Sequence, residues 1–132
     1  MPIVLSSMER KVMEMLLAGD DPVLQILREQ YRMAEAIERE KTGVGFHVTF
    51  TITPGVRRLD DKKSLHFGDV KGDIEGLEFG AGFVLHVRDG AIDQLEGYSY
   101  GEPWPVHVES FSISYIEGER RDLNALWTKW TA

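Results

Sequence analysis

Near the start of the chain, apolar side chains recur every three or four positions, which is the period of an amphipathic helix. Val12 and Met15 follow this spacing. The segment is preceded by Ser6, with Glu9 three residues later, a capping box in which each side chain accepts a hydrogen bond from the backbone of the other residue. We therefore predict a first helix at about residues 7–18.

A second helical pattern begins at Asp21 and Pro22. Aspartate is a favoured N-cap, and proline fits the first position of a helix because its missing N–H costs nothing there. Apolar residues then recur at helical spacing as far as Ile37, and Thr42 ends the pattern. The sequence thus predicts a helical hairpin within residues 1–42.

From Gly43 onwards the period changes from 3.6 to 2. Apolar and polar residues alternate over residues 46–53, which is typical of a half-buried strand. Weaker strand patterns follow around residues 65–70 and 106–115. Four glycines within residues 72–82 indicate a turn-rich connection between strands.

The strongest hairpin signal is Asp89-Gly90, which stands between two β-forming runs at about residues 82–88 and 91–100. Asp-Gly favours a tight hairpin because glycine tolerates the positive φ that the turn requires. Together the patterns predict a single α+β domain, residues 1–132, with two N-terminal helices packed on an antiparallel β-meander of four to five strands.

We place the sheet at residues 43–116 and a short C-terminal helix or tail at residues 117–132. This tail carries an apolar stripe at helical spacing, formed by Leu123, Leu126, Trp127 and Trp130.

The chain contains no cysteine, which excludes disulfides and thiolate chemistry and favours a cytoplasmic location. Its first residues lack the features of a signal peptide, and no apolar run approaches the ~20 residues that span a bilayer. The net charge is −7, and residues 69–109, with two basic and nine acidic side chains, hold the whole excess. Such a charge disfavours nucleic acid and anionic membranes and attracts a basic protein partner. Solvated acidic turns would explain the same excess.

Metal and cofactor signals are weak. The histidines, His47, His66, His86 and His107, form none of the spacings typical of metal sites. A folded site joining His66 and His86 with Asp69 and Asp93 stays open as a less favoured alternative. The glycine-rich segments at 43–45 and 76–82 precede no predicted helix and lack the Lys-Ser/Thr ending of a phosphate loop. We predict neither a metal nor a cofactor.

Nucleophilic catalysis has little support. Ser99 lies between Gly97 and Gly101 with the spacing of a nucleophile elbow, but that motif requires a following helix. Pro103 and Pro105 oppose a helix at this point, so we interpret the match as accidental.

Acid–base chemistry is the stronger catalytic alternative, using His86, Asp93 and Glu96. A two-residue turn at Asp89-Gly90 would place His86 opposite Asp93, whereas a three-residue loop with a bulge would place it opposite Ile92. A His–Asp pair suits proton transfer in a small hydrolase or lyase, and a surface contact between strands explains the same pairing.

The segment after the hairpin combines acidic and aromatic side chains with two prolines. Its candidate binding residues are Glu96, Tyr98, Tyr100, Glu102 and Trp104. Rigid aromatic side chains beside carboxylates suit an interface with a basic protein. The same aromatic residues would equally close one end of the core.

Residues 80–105 resemble a family of small uncharacterised bacterial proteins. In that family a Gly-Phe-x-Leu-x-Val-x-Asp-Gly hairpin precedes Leu-Glu-x-Tyr-x-Tyr and a Trp-Pro, all of which this chain contains. The similarity extends over about residues 43–115. It implies a bacterial protein and supports the boundaries of the sheet, but it supplies no catalytic residue because the family has no known role.

We therefore predict a bacterial protein-protein interaction domain without catalytic activity, which binds a basic partner through the acidic hairpin region and the aromatic loop. Toxin-immunity proteins and regulators offer an analogy of size and charge only. A homodimer formed through the aromatic loop is a further possibility, and a small hydrolase or lyase is the alternative function.

Overall fold

A computed structural model describes residues 2–60, 63–118 and 120–130. In this part of the chain, three helices and six strands occur in the order α1 (Ser7–Leu16), α2 (Pro22–Met33), β1 (Glu35–Lys41), β2 (Gly45–Thr51), β3 (Leu65–Ile74), β4 (Ala81–Arg88), β5 (Ala91–Ser99), β6 (Phe111–Tyr115) and α3 (Leu123–Trp130). The strands form one antiparallel sheet in the order β1-β2-β5-β4-β3-β6. The α+β class is confirmed, with one strand more than the predicted maximum.

Both predicted helix starts are confirmed. Ser6 Oγ accepts a hydrogen bond from the Glu9 N–H at 3.1 Å, and Glu9 Oε1 accepts one from the Ser6 N–H at 2.8 Å. Asp21 Oδ1 accepts from the N–H groups of Val23 and Leu24, so it satisfies two donors that would otherwise be orphaned at the start of α2.

The predicted end of the second helix is wrong. α2 ends at Met33, and β1 occupies residues that the sequence assigns to the helical hairpin of residues 1–42. The β1 sequence has good helix propensity. Pairing along β2, burial of Ala36 and a 2.7 Å hydrogen bond from the Ile3 N–H to the Ala36 carbonyl favour the strand instead.

All three helices cover the same face of the sheet. α1 packs against β3 and β6, α2 against β5, and α3 against β3. The buried apolar side chains of both layers form one cluster, whose largest fully buried members include Phe67, Phe83 and Met13. In the described part of the chain no helix packs on the other face, which we call the open face.

The β4–β5 hairpin has the predicted two-residue turn. Asp89 and Gly90 have φ values of 51° and 79°, as a type I′ turn requires. A bulge at Asp93 follows, so His86 lies opposite Gln94, and both predicted pairings of His86, with Asp93 and with Ile92, are wrong.

The bulge has a packing cause. Ile92 and Leu95 are three residues apart, a spacing that places side chains on opposite faces of a regular strand. Both are buried in the core. One extra residue between them returns both to the core face. Phe67 and Val70 pose the same problem on β3, and a second bulge lies between them.

Two further predicted boundaries need correction, and the C-terminal helix is confirmed. The turn-rich connection is shorter than residues 72–82, because residues 72–74 complete β3. In the segment 106–115, only Phe111–Tyr115 forms a strand. In the apolar stripe of α3, Leu126 is buried, while the side chain of Trp130 lies outside the described residues.

Candidate binding face

A row of polar side chains crosses four neighbouring strands on the open face. We call it the histidine row, and its members are His47 on β2, Glu96 on β5, His86 on β4 and His66 on β3. The register pairs His47 with Glu96 and His66 with His86. These residues alternate with core residues along their strands, so their side chains point away from the helices.

Glu96 joins two of the imidazoles. His86 Nε2 lies 3.0 Å from Glu96 Oε1, and His47 Nε2 lies 3.7 Å from Glu96 Oε2. The rings of His66 and His86 lie beside each other, with centroids 5.9 Å apart. The side chains of His86 and Glu96 are 37% and 32% exposed, so a partner that lies on this face can reach them.

Asp93 does not complete the predicted catalytic group. It lies on the bulge and lines an open depression of about 340 Å³ together with His66, His86 and Arg88. Among the described hydrogen bonds and ion pairs, none joins Asp93 to His86. The structure therefore brings His86 and Glu96 into contact and places Asp93 beside them.

Two of the predicted aromatic residues border the histidine row. The Tyr98 ring lies over Gly82 of β4, where a Cβ atom would be only 2.5 Å from the ring, so a larger residue at this position would displace Tyr98. Tyr98 and Tyr100 meet edge to face with centroids 5.7 Å apart. Burial raises the pKa of Tyr98, and Tyr100 and Glu96 add to the shift, so its hydroxyl stays protonated at neutral pH.

Glu102 and Trp104 hold the loop instead of facing this surface. The Glu102 carboxylate accepts hydrogen bonds from the N–H groups of Glu78 and Phe79, at 2.8 and 3.1 Å. The Trp104 ring packs edge to face on Phe46, with centroids 5.4 Å apart. The five candidate binding residues thus separate into three on or beside the open face and two that fasten the loop.

Trp104 and Phe46 also line a cleft of about 490 Å³ that α1 and β1 border. Its charged residues include Glu9, which is almost fully buried, and Arg39. The guanidinium of Arg39 already binds the Glu9 carboxylate, with Nε 2.8 Å from Oε2. The buried carboxylate of this cleft is therefore satisfied within the protein.

Ser99 is not a nucleophile elbow. It is buried at the end of β5, and its hydroxyl donates to the Glu102 carbonyl at 2.5 Å. Residues 100–110 contain no helix, which agrees with the interpretation of this spacing as accidental.

The acidic excess does not form a single patch. Asp89 lies at the turn of the β4–β5 hairpin, whereas Glu78 and Glu102 lie at the opposite end of the sheet. Asp69 is buried and paired with Arg121, with Nε 2.8 Å from Oδ2. Of this segment's acidic residues, Glu96 lies within the histidine row, and Asp93 lies beside it.

The folded metal site considered above is not assembled, because Asp69 pairs with Arg121 rather than joining the histidines. Across residues 2–60, 63–118 and 120–130, no group of three or more histidine, aspartate and glutamate side chains is placed to hold a metal ion.

Sequence reasoning missed His47 as a member of a site and considered His66 only for the metal site that is not assembled. His47 had a readable signal, since it lies on the polar face of the alternating strand at residues 46–53. Its contact with Glu96 depends on the pairing of β2 with β5, which are separated by residues 52–90 of the sequence. No local pattern encodes that register.

Comparison with protein-family models, with curated proteins and with solved structures finds no match for this chain. The resemblance of residues 80–105 to a bacterial family therefore stays a prediction. None of the helices in the described residues is long and apolar enough to cross a membrane.

Proposed function

We propose that this chain is a non-catalytic protein-protein interaction domain that binds a basic partner through its open face. The observation that supports this proposal is the Glu96 carboxylate, about one-third exposed in the middle of an uncovered sheet face. Tyr98 follows it on the same face of β5, and the Tyr100 ring packs against Tyr98. Tyrosine is enriched among the residues that dominate interface energies.

The chemistry of this surface favours a cationic side chain. A lysine or arginine of the partner would meet a carboxylate beside aromatic rings, where cation–π and ionic attraction act together.

Titration calorimetry with a synthetic hexalysine peptide, and with hexaglutamate as its counterpart, tests the proposal. We expect hexalysine to bind, to weaken with added salt, and to lose about fivefold in affinity in Glu96→Gln. Asp20→Asn is the matched control, because it removes one exposed charge between the two N-terminal helices. Equal losses in both variants, or equal binding of hexaglutamate, would contradict the proposal.

The 3.0 Å contact of His86 with Glu96 beside a depression that includes Asp93 favours one second candidate, acid–base hydrolysis. Hydrolysis of p-nitrophenyl acetate by the wild type, with a pH profile that His86→Gln removes, would support this alternative. We favour binding because both side chains of the dyad are about one-third exposed and water screens their interaction.

A further inference from the structure

The outer edge of β6 has unpaired backbone groups whose positions follow from two hydrogen bonds. The Glu75 N–H donates to the Ser110 carbonyl at 3.0 Å, and the Ile116 N–H donates to the Asp69 carbonyl at 2.8 Å. In an antiparallel ladder, hydrogen-bonded pairs alternate with pairs whose N–H and C=O groups point away from each other. Glu75 with Ser110, and Asp69 with Ile116, are therefore hydrogen-bonded pairs, and they set the same alternation from both ends of the β3–β6 pairing.

This alternation directs the N–H and C=O groups of Ser112 and Ser114 towards β3 and those of Phe111 and Ile113 away from the sheet. Among the described residues, the outward N–H and C=O groups of Phe111 and Ile113 have no hydrogen-bond partner. An extended chain placed along β6 would find alternate donors and acceptors already in position.

β6 also lacks the usual devices that prevent such pairing. Its sequence, Phe-Ser-Ile-Ser-Tyr, contains no charge and no proline. Natural edge strands commonly use lysine, proline or inward charges to prevent association. β1, at the other edge, has the charged sequence Glu-Ala-Ile-Glu-Arg-Glu-Lys.

A groove of about 510 Å³ runs between β6 and α1. Phe111 and Ile113 line it from the strand, and Arg10, Lys11 and Glu14 line it from the helix. Lys11 has no hydrogen bond or ion pair among the described residues, whereas Arg10 donates to the Leu5 carbonyl at 2.8 Å. The helix side of the groove therefore presents an uncommitted cation, Lys11, beside apolar side chains, with the exposed Glu14 carboxylate three residues further along α1.

We propose that this groove binds an extended peptide segment of a partner protein, which adds to the sheet as a seventh strand along β6. Peptide addition to a sheet edge takes affinity from main-chain hydrogen bonds and specificity from alternate side chains. The side chains that face α1 would be apolar next to Ile113, with one carboxylate near Lys11. The side chains that face the other way would lie beside Ser112 and Ser114.

A single extended segment fits the groove better than a second copy of this chain. In a two-fold pairing of β6 with itself, the side chains that would enter the groove belong to the face of the second β6 that its own α1 already covers. The proposal is independent of the function proposed for the open face, because it uses backbone groups at the sheet edge and does not involve Glu96.

The probe is the seven-residue peptide Thr-Val-Thr-Val-Thr-Glu-Thr. Its two valines and its glutamate occupy alternate positions, so their side chains share one face of the extended peptide. We expect it to bind about fivefold tighter than a counterpart with lysine in place of glutamate. N-methylation of the peptide nitrogens that face β6 should cost about tenfold or more, because it removes the shared hydrogen bonds.

Ile113→Pro is the decisive variant. It deletes an outward N–H and leaves the ladder with β3 complete, so we expect lost peptide binding in a folded protein. Ile113→Val keeps the N–H and should bind normally. If Ile113→Pro does not fold, Lys11→Glu replaces it, and its expected result is a reversed preference for the lysine peptide.

Three results would overturn the proposal. The N-methylated peptide could bind as well as the unmodified one, or Ile113→Pro could retain full affinity in a folded protein. A dimer in sedimentation that Ile113→Pro dissociates would instead assign this edge to a second copy of the chain.

Discussion

The two edges of the sheet are each fastened to α1 by an arginine, but with different degrees of burial. On β1, Arg39 binds the Glu9 carboxylate, and its side chain is 30% exposed. Beside β6, Arg121 binds Asp69 of β3 and donates to the carbonyl of Met15 in α1 at 3.1 Å, and its side chain is 6% exposed. The uncharged edge therefore has the more deeply buried anchor.

The two edge strands also differ in how they are protected from pairing with another strand. β1 is protected by its own charges, and its Ala36 carbonyl accepts from the Ile3 N–H. β6 has no such protection, yet the Arg121 guanidinium lies 5.4 and 5.7 Å from the ring centroids of Tyr115 and Phe67 and holds the strand in place. An edge that is rigid and unblocked is preorganised to accept another strand, since it loses little entropy on binding.

The largest expected effect is that of Arg121→Ala. It leaves the buried Asp69 carboxylate without its cation, and breaking a buried pair in this way costs about 3–5 kcal/mol. Urea unfolding measures the loss, and Arg120→Ala, an exposed neighbour, is the control, expected to change stability by no more than ~0.5 kcal/mol. Similar losses of stability in the two variants would show that Arg121 stabilises the fold no more than an exposed arginine does.

Arg39→Ala should cost less, about 2 kcal/mol, because water partly replaces the guanidinium at a side chain that is 30% exposed. Glu9 itself is 4% exposed and would be left as a buried charge. Glutamine preserves the capping box with Ser6, so adding Glu9→Gln should recover part of the loss. If urea unfolding shows that the free-energy changes of the two single variants simply add in the double variant, Arg39 and Glu9 are not coupled.

Tyr115→Phe removes a second contact between β6 and α1. The Tyr115 hydroxyl donates to the Met15 carbonyl at 2.7 Å, a second link between this strand and α1. Its removal should lower stability by about 1 kcal/mol. No change in the urea midpoint would show that Arg121 alone fastens this edge.

The smallest effect concerns alkaline pH. Burial raises the pKa of Tyr115, with Arg121 opposing and Asp69 adding to the shift. A raised pKa in the folded state gives stability that is complete below about pH 10, the unfolded value, and is lost as pH rises through the folded value. Thermal unfolding between neutral and alkaline pH should show a steeper loss in the wild type than in Tyr115→Phe, and parallel curves would contradict this.

Local signals were sufficient for the elements whose ends carry capping or turn chemistry. The capping box at Ser6, the N-cap at Asp21 and the Asp89-Gly90 turn each satisfy backbone requirements over two to four residues, so their sequences predict them directly. The alternation of apolar and polar residues over residues 46–53 is also a local signal, and it predicts β2 (Gly45–Thr51).

The remaining features depend on contacts between distant residues. β1 has helical propensity and becomes a strand only because β2 offers a partner along its full length. The placing of His47 beside Glu96 and of Trp104 on Phe46 depends on long-range pairing. The bulges are an intermediate case, since buried residues three apart in a strand, such as Ile92 and Leu95, are a signal that sequence reasoning can use.

The β6 edge is open in the free protein, and amide hydrogen exchange measures this residue by residue. We expect the N–H groups of Phe111 and Ile113 to exchange at least about tenfold faster than those of Ser112 and Ser114, which face β3. The valine-glutamate peptide should then slow the exchange of the first two. Equal protection of all four amides in the free protein, or the opposite alternation, would show that the edge is not open in this way.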